Sequence, residues 1–261
     1  MTSGTAVVTG ATGGIGSAIC RRLAVDGYEI VAAYHSNHEA AHTLSQDVSA
    51  MGGRLYPVCC DLATPDGVHE LVAAIRDRTS KESQLHALVN NAAKLLGPSF
   101  HEATEAQFDA YFALNVRAPF FLAQQLCQLM PTGASIVNVS SAGAHFSSPG
   151  DIVYAMTKAA IESLTRNVAE AVAPYGIRVN TVIPGFTDNG HEAFRIQEVR
   201  DYMDSFAVLG GVAQPADVAN AVSFLVSDQA RRTTGAALDV TGGSILGARR
   251  NAAASVRHII P

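Results

Sequence analysis

The sequence contains no tryptophan, and only 16 % of its residues are charged. It has no block of lysine and arginine, and its net charge is −5, which argues against nucleic acid or an anionic membrane surface as a partner. No apolar run approaches the roughly 20 residues of a membrane span. The N-terminus enters an apolar strand with no charged-then-apolar leader, so a cytoplasmic protein is expected. Cysteines are few. Cys20, Cys59, Cys60 and Cys127 lack zinc-type spacing, and an adjacent pair suits neither a metal site nor an ordinary disulfide. Four reduced, mostly buried thiols are the expectation. With no internal repeat, low-complexity segment or linker, residues 1–261 read as one domain.

What is plentiful is glycine, 22 residues, within a chain that is 48 % hydrophobic. The apolar strand Thr5–Thr9 runs into Gly10-Ala-Thr12-Gly-Gly14-Ile15-Gly16, followed by a helical stripe ending at Gly27. Strand, glycine-rich turn and helix are the physical kit for a pyrophosphate: glycine lets the backbone approach, and the helix N-terminus offers N–H groups. A second strand, Glu29–Tyr34, precedes His35-Ser36-Asn37 and a helix closed by Gly52-Gly53. Strand Arg54–Cys59 leads to Asp61-Leu62 and a helix over Pro65–Arg78; strand Leu85–Val89 stops at Asn90-Asn91-Ala92-Ala93. The alternation predicts an α/β fold, a doubly wound parallel sheet with helices on both faces and ligands at the carboxyl ends of its strands.

One long helix is expected over Glu105–Met130, carrying Asn115 between Leu114 and Val116. An Asn in an apolar helix costs stability unless its amide is satisfied, and a surface position on the polar side is the alternative. The strand Ala134–Val139 ends in Ser140-Ser141, and a helix begins near Asp151. On it Tyr154 and Lys158 are four apart, one turn above each other. An ammonium beside a phenol favours the phenolate and lowers its pKa, so such a tyrosine could exchange a proton with a carbonyl oxygen or an alcohol. A serine at the strand end could hydrogen-bond the same oxygen. Strand Arg178–Ile183 then ends in Pro184-Gly185; helices over Glu192–Phe206 and Ala216–Val226 and a last strand, Ala236–Val240, complete the pattern.

Together these pieces resemble the short-chain dehydrogenase/reductase family over nearly the whole chain, with similarity to 3-oxoacyl-carrier-protein reductases and polyketide ketoreductases. The carrying motifs are the Gly10/Gly14/Gly16 turn, Asn90-Asn91-Ala92-Ala93, Ser141 thirteen residues before Tyr154, Tyr154-x-x-x-Lys158, and Pro184-Gly185. The resemblance implies a Rossmann-type domain with a cofactor half over about 1–95, a catalytic and substrate half over about 96–247, and a tail, 248–261. It also implies roles. Tyr154 is the general acid or base; Lys158 lowers its pKa and binds the nicotinamide ribose; Ser141 polarises the carbonyl; Asn115 holds a water. Gly10, Thr12, Gly14, Ile15, Gly16, His35, Ser36, Asn37, Asp61, Leu62, Asn90, Ala92, Pro184 and Gly185 bind cofactor, Asp61 at the adenine. Where the family commonly carries a Thr five residues past the proline, this chain has Asn189, with Thr187 two residues earlier.

No Asp or Glu stands at Tyr34–Asn37 to take a ribose 2′-hydroxyl and repel a phosphate, so NADP(H) is expected over NAD(H). The expected pocket wall comprises Ala142–Phe146, Lys94–Leu96, His191, Phe194 and Tyr202. The expectation is a ketone/secondary-alcohol oxidoreductase acting on a small molecule, without metal, as a homotetramer or homodimer. The alternatives are a catalytically silent cofactor sensor and an enoyl reductase, which usually has a wider Tyr–Lys separation.

Overall fold

A computed structural model describes residues 4–79, 83–95, 97–190 and 192–246. The 248–261 tail, His191 and Leu96 lie outside these residues. Seven strands form one parallel sheet: β1 (Thr5–Thr9), β2 (Glu29–Tyr34), β3 (Leu55–Cys59), β4 (Leu85–Asn90), β5 (Ser135–Val139), β6 (Arg178–Pro184) and β7 (Ala237–Val240), in the order β3-β2-β1-β4-β5-β6-β7. β1, β5 and β6 are buried along their whole length: β1 reads as an apolar run, while β5 and β6 also bury Ser135, Asn138, Arg178, Asn180 and Thr181. The order reverses between β1 and β4, so the crevice beyond their carboxyl ends is where a ligand fits.

Two cores sandwich the sheet. On one face α1 (Gly14–Val25), α2 (His38–Ala50) and α8 (Pro215–Val226) bury Ile19, Leu23, Leu44, Val48, Val218 and Val222. On the other, α3 (Pro65–Arg78), α5 (Ala118–Leu126) and α6 (Ile152–Val172) bury Leu71, Ile75, Leu122, Leu126, Ala169 and Val172. Burying a side chain of the Leu/Ile class contributes about 1.5–3 kcal/mol.

The expected helix over Glu105–Met130 is not continuous. It comprises α4 (Glu105–Phe112), a π-helical turn (Ala113–Arg117), α5 and a short 3₁₀ turn (Cys127–Leu129). Pro119 supplies the reason: it has no N–H to give the Asn115 carbonyl, so regular α-helix cannot run through. The Ala118 N–H instead bonds five residues back, to Ala113 O. The remaining helix, α7 (Gln197–Asp204), replaces part of the expected Glu192–Phe206 helix, the rest being a 3₁₀ turn at Glu192–Arg195. The thiols are also less buried than expected: Cys20 and Cys60 are buried, Cys127 is partly exposed and Cys59 is exposed.

Candidate active site

The turn after β1 is shaped by close approach. Gly10 has φ +64°, and a methyl on Gly16 would collide with the Gly10 carbonyl oxygen. α1 begins at Gly14, inside the glycine turn and ahead of the apolar stripe that follows Gly16, with Gly13 as a cap that lends no side-chain bond. Asn91, which the sequence offered only as part of a motif, braces this turn: its Nδ2 donates to Thr9 O at 2.9 Å and Gly10 O at 3.2 Å. The N–H groups of Asn91 and Ala92 both reach Thr9 Oγ1 at 3.0 Å. Asn90 Nδ2 donates to Asn138 Oδ1 at 2.8 Å and so ties β4 to β5, while its own Oδ1 is buried without a hydrogen-bond partner. A turn that only glycine fits, ahead of a helix N-terminus, suits a dinucleotide pyrophosphate, whereas the orphaned Asn90 oxygen calls for a donor.

Elsewhere on this rim the expected contacts carry other tasks too. Asn37 caps α2, its Oδ1 accepting from Ala40 N at 3.0 Å. His35 and Ser36 are exposed, and His38, which the sequence did not single out, meets the Tyr34 hydroxyl through Nδ1 at 2.9 Å. Asp61 Oδ1 accepts from Ala63 N at 2.9 Å, and Thr64 caps α3. The Leu62 side chain is buried. Pro184 closes β6, and Gly185 lies against the Thr241 main chain, where an added Cβ would sit 3.0 Å away. Thr187 is buried, with its hydroxyl on Gly185 O at 3.1 Å; the main chain of Asn189 lies against Gly14.

The expected catalytic side chains converge at the ends of β5 and α6. Ser141 and Tyr154 flank Gly143, whose added Cβ would stand 3.5 Å from Ser141 Oγ and 4.0 Å from Tyr154 Cε1. Ser141 Oγ accepts from Gly143 N at 3.2 Å, which leaves its own hydrogen for another acceptor. Ser140 is buried and turned away, donating to Glu162 Oε1 at 2.6 Å. Lys158 is buried one turn past Tyr154; Nζ donates to Val139 O at 2.8 Å, and desolvation lowers its pKa to about 8. The expectation that Lys158 pulls the Tyr154 pKa down is not met here. Burial raises it, the Ser141 hydroxyl offsets that in part, and Asp151 and Tyr111 add to the rise.

Asn115 is buried in the π turn rather than on a polar surface. Its Oδ1 accepts from Lys94 N at 2.8 Å, and its Nδ2 donates to Lys94 O at 3.1 Å and Thr157 Oγ1 at 3.0 Å. The amide thus joins the segment after β4 to α6, one residue before Lys158. The pocket wall needs one correction. Phe194 is buried in the fold instead of facing an opening, and the His145 side chain is engaged by Glu162 Oε1 at 2.9 Å. An aromatic cluster takes the place of Phe194. Phe206 meets Phe146 at 5.9 Å, Phe186 at 5.4 Å and the exposed Tyr202 at 5.1 Å between ring centres.

A family model described as "Enoyl-(Acyl carrier protein) reductase" matches residues 10–244. The chain is 32 % identical over 240 residues to the 3-oxoacyl-[acyl-carrier-protein] reductase FabG of Staphylococcus aureus, covering 91 % of this chain and 96 % of the relative. The chain is a short-chain dehydrogenase/reductase. It is accordingly an oxidoreductase. Among solved structures, the promiscuous reductase LugOII, which catalyses keto-reduction at C1 during lugdunomycin biosynthesis, superposes with a TM-score of 0.90 at 39 % identity, covering 94 % of this chain and 99 % of that one. The angucycline C-6 ketoreductase LanV with bound NADP gives 0.89 at 37 % identity, covering 94 % and 97 %. LanV with NADP and rabelomycin gives 0.86 at 35 %, covering 94 % and 98 %. Among the described residues no helix is long and apolar enough to cross a membrane, and no group of His, Cys, Asp or Glu could hold a metal ion.

Proposed function

We propose that the protein reduces a ketone to a secondary alcohol with NADPH, the ketone lying on a polyketide-like or 3-oxoacyl framework. The observation that carries this reading is the placement of Ser141 and Tyr154 on either side of Gly143, with a buried lysine one turn behind. Bound NADPH supplies the hydride. Ser141 donates its hydrogen to the carbonyl oxygen and fixes it beside Tyr154, whose phenol gives that oxygen the proton. The phenol carries its proton at neutral pH, as an ordinary phenol does, and burial moves its pKa further up. The Lys158 ammonium then faces the phenolate left behind. Asn115 holds the Lys94 main chain and Thr157 in register with that pair.

The preference for NADP(H) is supported by the acid-free Tyr34–Asn37 rim, by exposed His35, Ser36 and His38, and by the NADP bound in similar structures. The Phe146, Phe186, Tyr202 and Phe206 cluster favours a planar aromatic ketone, which aromatic faces hold by stacking. A cytoplasmic homotetramer of single-domain chains is part of the reading; exposed Phe108, Phe120, Phe121 and Met156 on α4, α5 and α6 are the faces that a second copy would cover.

NADPH oxidation with a panel of aromatic ketones, 3-oxoacyl thioesters and enoyl thioesters tests the proposal. Turnover of ketones with little turnover of enoyl substrates is expected. The reverse order favours an enoyl reductase, the activity in the description of the matching family model. Cofactor binding without any turnover favours a silent sensor.

A further inference from the structure

The segment that carries Ser141 is gripped from outside the reacting groups. Glu162 lies on α6 two turns beyond Tyr154 and one beyond Lys158, along the same stripe of the helix. Its side chain is 11 % exposed, and a single oxygen, Oε1, accepts from Ser140 Oγ at 2.6 Å and stands 2.9 Å from His145 Nε2. Ser140 also reaches the Lys158 carbonyl oxygen, at 3.3 Å. Ser140 and His145 sit at the two ends of the turn Ser141–Ala144. A carboxylate so shielded from water is stabilised by donors, and both of these come from that one segment. Past His145 the chain passes directly to Phe146, which meets Phe206 in the aromatic cluster.

We propose that His145 and Glu162 are positioning residues: the Ser140–Glu162–His145 bridge clips the serine turn to α6 and thereby sets Ser141 Oγ against Tyr154. The kinetic consequence rests on the ketone-reduction reading, whereas the clip itself is measurable without turnover. Within the turn, Gly143 N bonds Ser141 Oγ, Ala144 N bonds Ser141 O and His145 N bonds Ala142 O, at 3.2, 3.0 and 2.9 Å. In the full chain, His145→Ala should speed hydrogen exchange at these three amides and lower kcat about tenfold, with NADPH affinity unchanged. Glu162→Gln keeps an acceptor oxygen and should hold kcat within about threefold, whereas Glu162→Ala should match His145→Ala. In a Ser141→Ala background, His145→Ala should cost little more, because the group it positions is gone. Unchanged exchange in His145→Ala, or an equal fold-loss with and without Ser141, overturns the positioning role. A wild type that turns over no ketone, while exchange still rises in His145→Ala, overturns the reduction reading and leaves the clip standing.

Discussion

The Lys158 ammonium lies 5.6 Å from the centre of the Tyr154 ring while donating to the Val139 carbonyl at 2.8 Å. The lysine is therefore anchored to the end of β5 and presented to the phenol from behind. Its burial has a thermodynamic sign. The folded chain disfavours the charged form, so the penalty is complete below about 8, the folded pKa, and is relieved as pH climbs toward the ordinary 10.5. Lys158→Met should thus be more stable than wild type at pH 7, by up to about 3 kcal/mol, and the gap should close as the pH nears the lysine's ordinary pKa. Urea unfolding at the two pH values measures this; a gap that does not depend on pH contradicts it.

Under the proposed mechanism the same groups set the pH dependence of catalysis. The kcat/KM for NADPH reports the free protein. It should fall as pH rises through about 8, where the ammonium is lost, whereas Tyr154 keeps its proton across that range. A profile flat through this region would remove Lys158 from the mechanism.

Replacing Tyr154 with Phe keeps the ring and deletes the proton. Turnover should drop by at least about 100-fold, the usual contribution of a positioned general acid, with NADPH affinity within about threefold of wild type. Retention of a tenth of the activity corresponds to a barrier change of only about 1.4 kcal/mol, and would mean another group donates.

Gly16→Ala puts a methyl into the Gly10 carbonyl oxygen and the Asn91 amide. The turn must open to accept it, so NADPH affinity should fall at least about tenfold, a change of about 1.4 kcal/mol. Fluorescence titration of bound NADPH reads the loss, and wild-type affinity in the variant contradicts the pyrophosphate assignment.

Asn115→Ala strands the Lys94 N–H and C=O at once and removes one donor from Thr157 Oγ1, which keeps its own bond to Tyr154 O at 2.7 Å. A buried polar group without its partner costs about 1–3 kcal/mol, so denaturation should show a loss in or above that range. A loss below about 0.5 kcal/mol would place the amide in water, as a surface helix position would have it.

For assembly, sedimentation of the wild type at micromolar concentration should give a tetramer. Phe121→Asp should give smaller species, because it puts a charge in the exposed apolar face of α5. A wild-type monomer sinks the assembly reading.

Strand positions were legible because buried parallel strands concentrate apolar residues between turn residues, the glycine turn and Tyr154/Lys158 spacing were legible because about four residues make one helical turn, and the order of the strands in the sheet was not read from the sequence. What periodicity missed lay in three dimensions. A π turn changes which backbone groups pair without changing the apolar stripe, although Pro119 was its visible signal. The direction of the Tyr154 shift depended on burial, which neighbouring residues in sequence do not report. Glu162 and Phe206 matter through contacts with residues far away in the chain, so no local pattern marked them, and the motif that contained Asn91 did not reveal its bonds to Thr9 and Gly10.

The brace from Asn91 to Thr9 and Gly10 joins the tips of neighbouring strands, and it is made wholly of groups the protein owns. Under the proposed reading a visiting nucleotide meets a seat already furnished, and little chain has to be stilled for it to settle. How firmly it stays is left to the charges and rings around the rim, so exchanging those side chains can retune cofactor choice while the seat keeps its shape.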